Sequence, residues 1–125
     1  MAASNRVSDP KLLVALASVQ IKTDQKRTIK TLYRALSLYT DSDDIDVSIF
    51  YSLASMGMDM DNYRLVYVWY GVAEAFDERL NDTQRVQLGQ RYALPVGILD
   101  NIVDEIVSNL NSATFNADSL KLDKL

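Results

Sequence analysis

The sequence contains neither cysteine nor histidine. Without cysteine there is no disulfide framework, no thiolate nucleophile and no cysteine-based metal site. Without histidine the usual general base near neutral pH and the usual zinc ligand are missing as well. Glycine and proline are scarce, at four and two residues, so few positions force the chain out of regular structure and short connections are expected. No apolar run approaches the roughly 18 residues of a membrane span. The longest near the start, residues 12–19, is bounded closely by Lys11 and Gln20 and reads neither as a span nor as a signal peptide. These absences predict no cofactor, no metal, no membrane association and no small-molecule substrate, in a cytoplasmic setting.

What is present fits one folded domain. The chain has 125 residues, of which 48% are hydrophobic and 24% charged, enough apolar surface for a single core and too much for disorder. Helix signals recur along it. Asp9-Pro10 reads as an N-cap followed by proline in the first turn, opening a helix to about residue 21 with Leu12, Leu16 and Val19 as its buried stripe. Thr23 or Asp24 caps a second helix to about residue 39, burying Ile29, Leu32, Leu36 and Tyr39. A third helix is expected over residues 47–56, burying Ile49, Phe50 and Leu53, with Gly57 as its stop.

The stretch Leu65-Val-Tyr-Val-Trp-Tyr70 has the β-branched and aromatic composition of a strand. The spacing of Leu65, Trp69, Val72, Phe76 and Leu80 runs well past strand length, so a central helix over residues 62–80, capped by Asp59 or Asp61, is expected instead. Asn81-Asp82 caps a fifth helix to about residue 92. Pro95 opens a sixth to about residue 110, with Ile98, Leu99, Ile102, Val103, Ile106 and Leu110 on its inner face. Residues 111–125 read as a loosely held polar tail. The fold class expected is therefore all-α: a compact single-domain bundle of five to six short-to-medium helices around a central one.

Charge is distributed unevenly. Residues 1–34 carry seven Lys/Arg against two acids, a balance of +5, whereas residues 35–125 stand at −9. Such polarity suits a charged partner or a second copy docked head to tail. On the second helix Lys26, Arg27, Lys30 and Arg34 fall within an arc of about 100°, with Lys22 just upstream. That face can meet a nucleic-acid backbone, an anionic membrane or an acidic protein; a plain solvated helix face accounts for it equally well. The pair of helices over residues 84–107 has helix-turn-helix spacing, with Gly89 where the two must approach. Its second helix has no Lys or Arg and carries Asp100, Asp104 and Glu105, which phosphates would repel. A tight helix pair is the better reading.

The aspartates of residues 41–46 invite a divalent ion, but a calcium loop counted from Asp41 needs glycine sixth and a carboxylate twelfth; Asp46 and Ser52 stand there. Helix caps explain them better. Met56, Met58, Met60, Tyr63, Tyr67 and Tyr70 form a candidate protein interface, since methionine adapts to partners and tyrosine buries area at low entropic cost; core packing is the competing role. There is no Ser–His or Cys–His pairing, no phosphate loop and no dinucleotide fingerprint, so no enzyme is expected. The function expected is a non-catalytic protein-interaction module, a small adaptor, inhibitor or assembly subunit that self-associates as a homo-oligomer. The alternative is a nucleic-acid-binding regulator or accessory protein using the basic face of the second helix and the helix-turn-helix-like pair.

Overall fold

The computed structural model describes residues 9–125, and among them are six α-helices, two short 3₁₀ turns and no strand. The helices are α1 (Pro10–Gln20), α2 (Gln25–Leu38), α3 (Ser48–Asp59), α4 (Tyr63–Phe76), α5 (Thr83–Arg91) and α6 (Val96–Asn111). The all-α bundle read from the sequence is the fold observed. The caps of α1 and α2 are expected ones, whereas α4 is capped by Asn62 in place of Asp59 or Asp61, because Asp59 still belongs to α3 and Asp61 turns left-handed. Asp9 Oδ1 accepts from Lys11 N at 2.9 Å, Asp24 Oδ1 from Arg27 N at 3.0 Å and Asn62 Oδ1 from Leu65 N at 3.2 Å, each relieving an orphan donor of a first turn.

α4 is the centre. It packs on α3, α6 and α5, and Leu65, Val66, Tyr67, Val68, Trp69, Gly71, Val72 and Ala73 are all buried. Burial on several sides explains its strand-like composition: a helix covered nearly all round needs apolar residues at every position, so amphipathic periodicity fades. Trp69 is 0% exposed and stacks on Phe50 at 5.9 Å between ring centroids. Tyr33 packs on its other flank at 5.7 Å. The Tyr33 hydroxyl lies near the indole without satisfying it. Trp69 Nε1 is the one buried side-chain polar atom lacking a hydrogen-bond partner among the described residues, and burial pushes the Tyr33 phenol up to about 12.

α4 ends one turn before the expected Leu80. Asp77 turns extended and is held there by Tyr51 Oη, which donates to its Oδ2 at 2.7 Å, and by the Arg79 backbone and guanidinium. These three donors keep the buried Asp77 carboxyl well below the usual carboxylate range, the guanidinium contributing most. Leu80 is consequently exposed.

Gly57 does not stop α3. The helix continues to Asp59, and Gly57 marks a close crossing with α4, where a Cβ would stand 2.9 Å from Val66 Cγ2 and 3.1 Å from Val66 N. The true stop is Asp61, at φ 54°, with Asn62 N donating to Gly57 O and Asp61 N to Met58 O. This is the paired closure of a Schellman motif. It recurs after α5 at Ala93 and after α6 at Ala113, and again at Lys121 in the tail. No glycine among the described residues has positive φ. Glycine serves close packing in this chain, and other residues accept the left-handed stops.

Two further expectations are corrected. In α1 the buried residues are Leu13 and Ala17; Leu12 is 58% exposed, Leu16 36% and Val19 70%. α1 packs chiefly on α2, and a single neighbour covers only one arc of a helix whose apolar residues span two. The 111–125 tail is not loose over its length. Phe115 and Leu122 are buried, Phe115 meets Tyr33 edge-on at 6.3 Å, and Asn62 Nδ2 donates to Leu125 O at 3.4 Å. Its scattered apolar residues are the ones that pack on the core.

Candidate partner-binding surfaces

The basic face is present on α2. Lys22, Lys26, Arg27 and Lys30 are exposed and make no ion pair among the described residues, and Arg34 is half-buried. An acidic segment shares this side of the molecule. Lys26 and Lys30 line a groove of about 360 Å³ together with Asp118 and Asp123 from the tail, over an apolar floor that includes Ile29 and Leu65. The carboxylates moderate the positive field there.

The six Met and Tyr residues divide. Met56 and Tyr67 are buried and belong to the core, Tyr67 against Gly89, Arg85 and Asp100 of the α5–α6 pair. Met58 and Tyr70 line a groove of about 640 Å³ with Leu88, Arg91 and three glutamines of α5. Met60 faces the tail groove. Tyr63 stacks face to face on Tyr92, with centroids 3.7 Å apart and planes at 6°, and Arg91 lies over the Tyr92 ring at 5.4 Å. The Tyr92 hydroxyl, then the Asp61 carboxylate, hold the Tyr63 phenol up at about 12. The structure thus joins Met58 to Tyr70 and Tyr63 to the turn after α5, and separates Met60 from both.

The α5–α6 pair is joined through residues 92–95, and Gly89 is where the helices meet: a Cβ there would stand 2.8 Å from Val96 Cγ1 and 3.3 Å from Tyr67 Cε2. Behind the pair lies a polar network that sequence reading missed. Arg85 Nε donates to both Glu74 oxygens at 3.1 and 2.9 Å, while its Nη1 donates to Tyr67 Oη at 2.8 Å and Asp100 Oδ1 at 3.0 Å. Tyr67 Oη donates to the same Asp100 oxygen at 2.7 Å. Burial, then this donation, raises the Tyr67 phenol above its ordinary value, so it remains a donor. Arg85 therefore pins α5 to α4 and α6 by charge-assisted bonds, where α5 offers little buried apolar surface of its own. One acid of the would-be recognition helix, Asp100, is committed to this internal bond. No motif signals such a network, because its members come from three helices.

Two aspartates of the 41–46 stretch hold turn donors: Asp41, which caps the 3₁₀ turn, accepts through Oδ1 from Asp43 N at 2.9 Å, and Asp46 Oδ1 accepts from Ser48 N at 3.0 Å. Among the described residues no group of three or more acids is placed to hold a metal ion, and no helix is long and apolar enough to cross a membrane.

The surface that sequence periodicity did not foresee is the outer edge of α1. At about 100° per residue, Leu12, Leu16 and Val19 fall within an arc of about 60°, all at least one-third exposed. Lys11 and Lys22 flank them, with the cap residues Asp9 and Asp24 just beyond. The result is an aligned row of aliphatic side chains left in solvent.

No curated protein and no solved structure matches this chain. A family model does: it covers residues 1–70, which hold the α1 edge, the basic face of α2 and every Met and Tyr considered above except Tyr92. The chain belongs to the family described as protein of unknown function (DUF2989).

Proposed function

We propose that the protein is a non-catalytic protein-interaction module that docks a protein partner on the exposed edge of α1. The observation that carries this reading is the row Leu12, Leu16 and Val19, left in solvent on a helix whose other face is in the core. Scattered exposed apolar residues are ordinary, but an aligned row at i, i+4 and i+7 is the pattern a helical partner reads. The adjacent lysines favour a partner with carboxylates at its rim. Replacing Leu16 by a photo-reactive amino acid in the native source tests it. The expected result is a discrete protein adduct, lost when Val19→Glu is added. No adduct, or adducts with nucleic acid alone, overturns the reading.

The exposed cations Lys22, Lys26, Arg27 and Lys30 favour a second reading, nucleic-acid binding through α2. On duplex DNA each phosphate contact contributes about 0.9 to the slope of log affinity against log salt. The Lys26→Glu, Arg27→Glu, Lys30→Glu triple variant abolishes a fluorescence-anisotropy signal with labelled duplex if this face is used. An unchanged signal rejects it.

A further inference from the structure

We infer that the partner of the α1 edge is a second copy of this chain, which offers the exposed edge of α6. This rests on the protein-interaction reading above and names its occupant. The two edges match in spacing and oppose in charge. On α6, Ile98, Ile102 and Glu105 stand at i, i+4 and i+7, the same intervals as Leu12, Leu16 and Val19, and so occupy the same arc of about 60°. Ile98, expected on the inner face, is instead 65% exposed because α6 turns Leu99, Val103, Ile106 and Leu110 to the core; Ile102 is half-buried, and Glu105 and Asp104 are in solvent. In both helices the edge borders the buried face, Leu13 and Ala17 on α1 and Leu99, Val103, Ile106 and Leu110 on α6.

The charges are segregated to the same two places. Residues 9–30 carry Lys11, Lys22, Lys26, Arg27 and Lys30 against Asp9 and Asp24, whereas α6 has no Lys or Arg and holds Asp104 and Glu105 in solvent, its Asp100 being paired with Arg85. Pairing α1 of one copy with α6 of another buries aliphatic side chains on both and sets the lysines against Glu105 and Asp104. Pairing α1 with α1 sets lysine against lysine, and α6 with α6 sets carboxylate against carboxylate. Like charges brought together disfavour both two-fold arrangements. The contact is therefore heterologous, each copy keeping one edge open after pairing, so that association continues into an open chain or closes as a ring.

Sedimentation velocity on the full chain, over a concentration series at low and high salt, tests this. The wild type is expected to grow in mass with concentration, and to grow less at high salt because the charge pairing is screened. Val19→Glu removes the α1 edge and Ile98→Lys the α6 edge; both side chains are largely exposed, so circular dichroism and thermal unfolding should match the wild type. Each variant alone is expected to be a monomer, whereas their equimolar mixture gives a dimer that grows no further. Should either variant misfold, Lys22→Glu and Glu105→Lys serve instead: each weakens association alone, and mixing restores growth with concentration, because both edges of each copy then meet an opposite charge.

A wild type that stays monomeric throughout, or folded variants that remain monomeric when mixed, overturns the inference. So does wild-type-like growth of either variant alone. If those results come with a Leu16 photo-adduct to a different protein, the interaction reading survives and only the second copy is wrong.

Discussion

α1 and α4 are both built largely from apolar side chains, and they meet opposite fates. α4 has neighbours on several sides, and eight of its residues are buried. α1 has one main neighbour, buries Leu13 and Ala17, and leaves Leu12, Leu16 and Val19 in water. The composition of a helix sets how much surface it can bury. The number of helices around it sets how much it does bury, and the remainder is available to a partner. A small domain cannot surround every apolar helix, so a peripheral one with α4-like composition is the place to look for an interface.

Removing the hub of α4 should have the largest effect. Trp69→Ala empties the space between Phe50 and Tyr33 and should cost about 3–5 kcal/mol, read by urea denaturation. Much of a typical stability of about 5–15 kcal/mol goes with it. A cost below about 1 kcal/mol would mean that α4 is not the centre.

Within α1 the contrast can be drawn between adjacent residues. Leu13→Ala should cost about 2–4 kcal/mol, while Leu12→Ala, one position away and exposed, should stay within about 0.5 kcal/mol. A larger cost at Leu12 than at Leu13 would return the helix to the sequence-based orientation, and equal costs would show that both faces are covered in solution.

The α3–α4 crossing gives a smaller effect that separates two roles for one glycine. Gly57→Ala improves local helix propensity, yet its Cβ meets the Val66 side chain and backbone. A net loss of about 1–3 kcal/mol is expected from overpacking. A thermal shift upward would mean that the helices have room to part.

The starts of α1 and α2 were legible because caps are local. Asp9 and Asp24 act on backbone donors two or three residues on, so a short window of sequence contains the whole interaction; at α4 the cap is Asn62 and not the expected Asp59 or Asp61, because α3 and its left-handed stop take those two. The stops were less legible. Asp61, Ala93, Ala113 and Lys121 adopt the left-handed conformation without being glycine, because the backbone bonds of each closure and the direction of the next element hold them there. Of the candidate surfaces, the cations of α2 could be read from periodicity alone, since charge on an amphipathic helix goes outward. Met56 and Tyr67 could not be told from Met58 and Tyr70, because all four are compatible with either side of a helix.

By itself, then, the sequence determined the all-α class, the order of the helices, the caps of α1 and α2, the buried face of α2 and the separation of charge, all of which follow from patterns within a turn or two of chain. Tertiary structure alone decided which of two apolar arcs of α1 is covered, that Gly57 is a crossing point, that Asp77 ends α4, and that Arg85 joins Glu74, Tyr67 and Asp100. Each of these depends on residues far apart in the chain, and no local pattern records which of them will meet.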